Sequence, residues 1–76
     1  MNKARRKEIS RLNTEITRII EELEEVKDQE ETYFDNIPEN LQGGQRYEES
    51  EEAITALDDV LSSLEDVTNS LQELEG

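Results

Sequence analysis

The chain has 76 residues, with 21 acidic against 8 basic side chains, a net charge of −13, and neither cysteine nor histidine. Disulfides and thiolate or imidazole metal sites are therefore excluded as supports, and one small domain must hold itself together by packing. Ala, Glu, Lys, Leu and Arg supply close to half of the residues beside a single proline, a composition that favours long helices or coiled coils.

The opening stretch "MNKARRKEISRLN" is basic and has no apolar run behind it. It reads as neither a signal peptide nor a membrane anchor, so a soluble cytoplasmic protein with no membrane partner is expected. From Ile9 an apolar series runs Ile9, Leu12, Ile16, Ile19, Leu23 and Val26, skips Glu30, and resumes at Tyr33 and Ile37. Steps of three and four are the seam of a packed helix, here over about residues 3–35.

"DNIPENLQGGQR" interrupts this pattern. Pro38 disfavours helical geometry at Ile37, and Gly43-Gly44 permits a turn, so a hinge is expected over residues 36–45. "PENL" spells one short helical turn inside it. The second helix, about 46–75, carries Tyr47, Ile54, Leu57, Leu61, Leu64, Val67, Leu71 and Leu74. Folding the chain at the hinge sets Ile9 against Leu74, Leu12 against Leu71, Ile16 against Val67 and Ile19 against Leu64, so that facing numbers add to 83. The pairs Leu23 with Leu61 and Ile37 with Tyr47 add to 84. The expected fold is all-α: a single domain over residues 1–76, an antiparallel helical hairpin about 45 Å long. Tyr33, Phe34, Leu41 and Tyr47 are expected to plug its hinge end. Ala53, Val60 and Val67 beside the second seam, and Ile20 and Phe34 beside the first, leave a surplus apolar face. A homodimer forming a four-helix bundle, or a docked partner, would cover it.

Charge is distributed unevenly along the folded hairpin. Residues 1–20 and 60–76 together hold six basic and six acidic side chains, with Lys3, Arg5, Arg6, Lys7, Arg11 and Arg18 expected beside Glu65, Asp66, Glu73 and Glu75. Residues 21–59 hold fifteen acids against only Lys27 and Arg46, which accounts for the whole net charge. The candidate partner-binding residues in this acidic head are Glu48, Glu49, Glu51, Glu52, Asp58 and Asp59 on the second helix, with Glu21, Glu22, Glu25 and Asp28 on the first.

Catalysis is disfavoured, because the usual general bases and thiol nucleophiles are missing and a thin hairpin offers no water-excluding pocket. No "DxDxDG" loop for calcium occurs, and no cofactor is expected. "NKARRK" loosely matches a basic-region DNA-binding arm, but the match covers six residues and the helix folds back on acidic Glu73 and Glu75.

Across "YFDNIPENLQGGQRYEESEEAI", and most specifically at "FDNIPENLQ" (Phe34–Gln42), the chain resembles a family of small acidic helical proteins of phages and mobile elements of Gram-positive bacteria. The resemblance implies a mobile-element setting, in which small acidic proteins often block host defence or DNA-processing enzymes, and assigns no functional residue. Two functions stay open. The first is an acidic inhibitor of the anti-CRISPR or anti-restriction type, imitating nucleic acid in the basic channel of a nucleic-acid-binding host protein. The second is a structural or adaptor coiled-coil dimerisation module whose acidity serves solubility.

Overall fold

The computed structural model describes residues 1–76 as two long helices packed in an antiparallel hairpin, with no strands. Helix α1 spans Lys3–Asp35 and helix α2 spans Gln45–Glu75. The molecule is a rod of 60 × 15 × 13 Å. It is longer than the 45 Å expected, since a helix of 33 residues alone extends about 50 Å and the hinge adds to it.

Local chemistry sets both ends of α1. The Asn2 side chain accepts a hydrogen bond from the Arg5 backbone N–H at 2.8 Å, satisfying one of the unpaired donors of the first turn. The helix stops at Asn36, two residues before Pro38, whose ring restricts the residue preceding it. A 3-10 turn over Glu39–Leu41 then redirects the chain, and the Gly44 N–H donates to the Leu41 carbonyl at 3.0 Å. Neither hinge glycine adopts a positive φ. A Cβ at Gly44 would stand 3.2 Å from the Leu41 oxygen, a tight contact that a small shift of the turn would have to relieve.

The interface between the helices corrects the expected seam. Asn13 Nδ2 donates to the Thr68 carbonyl at 3.4 Å, and the rings of Phe34 and Tyr47 lie 4.5 Å apart. Facing numbers therefore add to about 81 rather than 83 or 84. Along α1 the covered positions are Ile9, Asn13, Ile16, Ile20, Leu23, Lys27, Glu30, Glu31 and Phe34, and Ile37 continues the buried row into the hinge. Leu12, Ile19, Val26 and Tyr33, which the three-and-four count placed in the seam, are 40 to 48% exposed. On α2, Thr68 and Glu75 are partly covered, while Val67 and Leu74 remain exposed.

The cause is a surplus of apolar lines. α1 carries three adjacent rows at seven-residue spacing: Ile9/Ile16/Leu23/Ile37, Leu12/Ile19/Val26/Tyr33, and Ile20/Phe34 beside Asn13 and Lys27. One partner helix covers only two rows. The hairpin takes the row holding Ile20 and Phe34, the rotation in which Lys27 pairs with Asp58 and Asn13 Nδ2 reaches the Thr68 carbonyl.

The resulting core is thin. Ile20, Ile37 and Leu61 are the buried apolar residues, and no side chain is fully buried. Polar layers alternate with apolar ones: Asn13 and Ser50 are buried, and Ser50 Oγ donates to Glu30 Oε1 at 2.8 Å. The Ser50–Glu30 bond favours this register, because a slip would break it, whereas Asn13 donates through Nδ2 and leaves its Oδ1 buried without a partner. The hinge plug is half of what was expected. Phe34 and Tyr47 pair inside, whereas Tyr33 and Leu41 are about half exposed.

Candidate partner-binding surface

The head half of the rod is built from α1 after Ile20, the hinge, and α2 up to Asp59. All ten candidate carboxylates are exposed there: Glu21, Glu22, Glu25, Asp28, Glu48, Glu49, Glu51, Glu52, Asp58 and Asp59. They do not form one patch. Asp28 and Asp58 converge with Glu24 and Glu65 on an open groove of about 420 Å³ along one side of the hairpin, with Lys27 and Leu61 also lining it. Glu48, Glu51 and Glu52 line a second open groove of about 320 Å³ beside Tyr47 and Gln42. Glu21, Glu22, Glu25, Glu49 and Asp59 line neither groove.

Lys27 is the head's internal counter-charge. Its side chain is three-quarters covered, its ammonium pairs with Asp58 across the hairpin, and Glu31 Oε1 lies 3.5 Å away on its own helix. The hydrogen bond to Asp58 holds the ammonium above the ordinary lysine value, against the opposing effect of partial desolvation and with help from the charges of Asp58 and Glu31. Asp58 is thus already engaged. Among the ten candidates it is the one that also serves the fold.

The base behaves differently from the expectation of cross-helix neutralisation. Arg11 takes Glu8 and, at 2.7 Å, Glu15 from its own helix. The hydrogen bond and charge of Arg11 lower the Glu8 pKa from its ordinary value and raise that of Arg11. Neither Glu65, Asp66, Glu73 nor Glu75 forms an ion pair, and Lys27–Asp58 is the single one that joins the helices. Spacings of three and four residues bring Glu8, Arg11 and Glu15 together with little ordering, so the local partners win.

A second surface extends the surplus apolar face expected from Ala53, Val60 and Val67, with residues of α1 that were expected inside the seam. Leu12, Ile19, Val26 and Tyr33 each precede a covered residue of α1, and Val60, Val67 and Leu74 each precede a covered residue of α2. Both helices are right-handed and run in opposite directions, so the same rotation off the seam brings both rows to one side of the hairpin. At the hinge the two rows meet: Tyr33 of α1 and Arg46 of α2 line a common cleft of about 150 Å³ with Ile37, Pro38 and Leu41. The signal was present as two seven-residue repeats, 12/19/26/33 and 53/60/67/74. Glu24, Glu31, Glu51, Asp58 and Glu65 occupy the corresponding rows on the opposite side. One side of the rod is apolar, and the other is acidic over the head and middle, with Ser10, Thr17 and Gln72 continuing those rows at the base.

No protein-family model, curated protein or solved structure matches the chain, so the surface is read from its own geometry. No helix is long and apolar enough to cross a membrane.

Proposed function

We propose that the acidic head binds a basic nucleic-acid-binding protein and occupies the channel that otherwise holds phosphates. The observation that carries this reading is the separation of charge along the rod. The head holds thirteen net negative charges in about half of the 60 Å length, with the base neutral. That is about one charge per 2.3 Å of axis, against one per about 1.7 Å in duplex DNA. Carboxylates present paired acceptors that suit the guanidinium groups such a channel contains. Of the head's two cations, Lys27 is engaged internally and Arg46 sits at the hinge cleft, so most of the head's carboxylates stand free toward a partner. The setting we propose is the mobile-element one implied at "FDNIPENLQ", with a host defence or DNA-processing enzyme as target.

Immobilised protein challenged with bacterial lysate tests this. Short duplex DNA added in excess should release the captured partner, and the released protein should itself bind DNA or RNA. A partner that stays bound in excess nucleic acid contradicts the proposal and favours the adaptor reading.

A further inference from the structure

We infer that the apolar side of the hairpin is an interface with a second copy of this chain, and that the two copies pack head to base. The inference rests on the apolar rows and the overall charge layout, not on what the head binds, and stands if the head proves inert toward nucleic-acid-binding proteins.

The protomer alone is under-supplied with core. It has no fully buried side chain, three buried apolar residues, and no cysteine for a disulfide. Chains of this size usually add a covalent staple, a metal or an oligomeric contact. Meanwhile Leu12, Ile19, Val26, Tyr33, Leu41, Val60, Val67 and Leu74 stand 40 to 50% exposed, and all but Leu41 belong to the two rows on the common side. Together they leave roughly 600 Å² open, about a tenth of the protomer's 5881 Å². Face-to-face pairing of two copies removes about 1,200 Å² or more, which reaches the size of a specific interface. It also explains the rotation of α1. The apolar arc of that helix is centred between its seam with α2 and the open side, the arrangement of a bundle helix with two neighbours. Small residues flank the α2 row, with Ala53 at its head and Ala56, Ser63 and Ser70 alongside, which allows close approach.

Charge selects the orientation. Two copies with heads together would gather 26 net negative charges, twice the 13 of one head, at one end of the bundle. A two-fold axis perpendicular to the rod instead sets each head beside the other copy's α1 N-terminus, with Lys3, Arg5, Arg6, Lys7, Arg11 and Arg18. Arg5 falls on the same seven-residue row as Leu12 and Ile19, so it borders the interface at the base end. In this dimer α1 packs on α1 and α2 on α2, all neighbours antiparallel.

With no cysteine in the chain, Asn40→Cys carries a single spin label at the hinge. At about 0.15 M salt, where surface repulsion is screened beyond about 8 Å, sedimentation should give twice the 8.8 kDa chain mass. The label-to-label distance should be about 50 Å or more, close to the rod's 60 Å length. A distance under about 30 Å means heads together, and a folded species of 8.8 kDa at about 100 µM means no dimer; either overturns the inference. Ile19→Lys with Val67→Lys should weaken association roughly 100-fold, whereas Thr17→Lys with Ser62→Lys, away from the face, should not. Equal effects of the two pairs would place the interface elsewhere. The parent's mass and label distance decide the matter even where the face variant fails to fold.

Discussion

The two ends of the rod share one heptad frame and handle charge in opposite ways. The base mixes six cations with six anions, and its ion pairs are local, Arg11 with Glu8 and Glu15 on one helix. The head crowds fifteen anions around two cations and contains the one ion pair that crosses between helices, Lys27 with Asp58. A fold needs only the first arrangement. The second brings like charges close together without any packing requirement for it, which is why the head, rather than the whole acidic surface, is the candidate for partner binding.

The largest effect should come from the part common to both ends, the seam. Leu61→Ala should lower stability by about 2–3 kcal/mol in chemical denaturation, because Leu61 is one of three buried apolar residues. Val60→Ala, one position away and 46% exposed on the single chain, should cost less than about 1 kcal/mol when both variants are unfolded at concentrations low enough to keep the chain monomeric. Equal costs would mean that the seam is rotated from the one described.

The head-base contrast gives a smaller and opposite-signed pair. Glu48, Glu49 and Glu52 changed to Gln, with Glu51→Gln, remove like-charge neighbours spaced three and four apart on α2. Stability should rise by about 1 kcal/mol at low salt, with the gain shrinking as salt is added. Glu8→Gln at the base should instead lower thermal stability, since Glu8 has a cationic partner. A loss of stability in the head variant would show that its charges are not in mutual repulsion.

The smallest effects distinguish the two ends by pH. The Lys27 pKa is raised, so its stabilisation is complete below the ordinary value of 10.5 and disappears as pH rises through the higher folded value. The Glu8 pKa is lowered, so its contribution is present above 4.5 and disappears as pH falls through the lower folded value. Melting curves of Lys27→Gln and parent should therefore converge on the alkaline side, and those of Glu8→Gln and parent on the acid side. Convergence of both pairs at the same extreme would refute the assignment of these contacts.

The hairpin was legible because steps of three and four residues, broken once at Pro38, leave few alternatives for two amphipathic helices. The register and the buried rows were not. α1 satisfies the three-and-four count with either the Leu12/Ile19/Val26/Tyr33 row or the Asn13/Ile20/Lys27/Phe34 row, and only polar partners separate them. Counting apolar residues gives no weight to Lys27 with Asp58, or Glu30 with Ser50, yet these contacts accompany the choice. The acidic head was legible as a sum of charges. Its division into two grooves, and the engagement of Asp58, depend on which way each helix is turned.

The central claim is that the head's free carboxylates, and not acidity in general, bind the partner. It is tested most directly by affinities of the captured partner for two variants, measured by titration at several salt concentrations. The head variant changes Glu48, Glu49, Glu51, Glu52 and Asp59 to Gln or Asn and keeps Asp58 for Lys27; the base variant changes Asp66, Glu73 and Glu75 likewise and leaves Glu65, which lines the groove with Asp28 and Asp58. The head variant should bind roughly 100-fold more weakly and lose most of the salt dependence, while the base variant binds like the parent. Parent-like binding by the head variant, or equal losses in both, would contradict the claim.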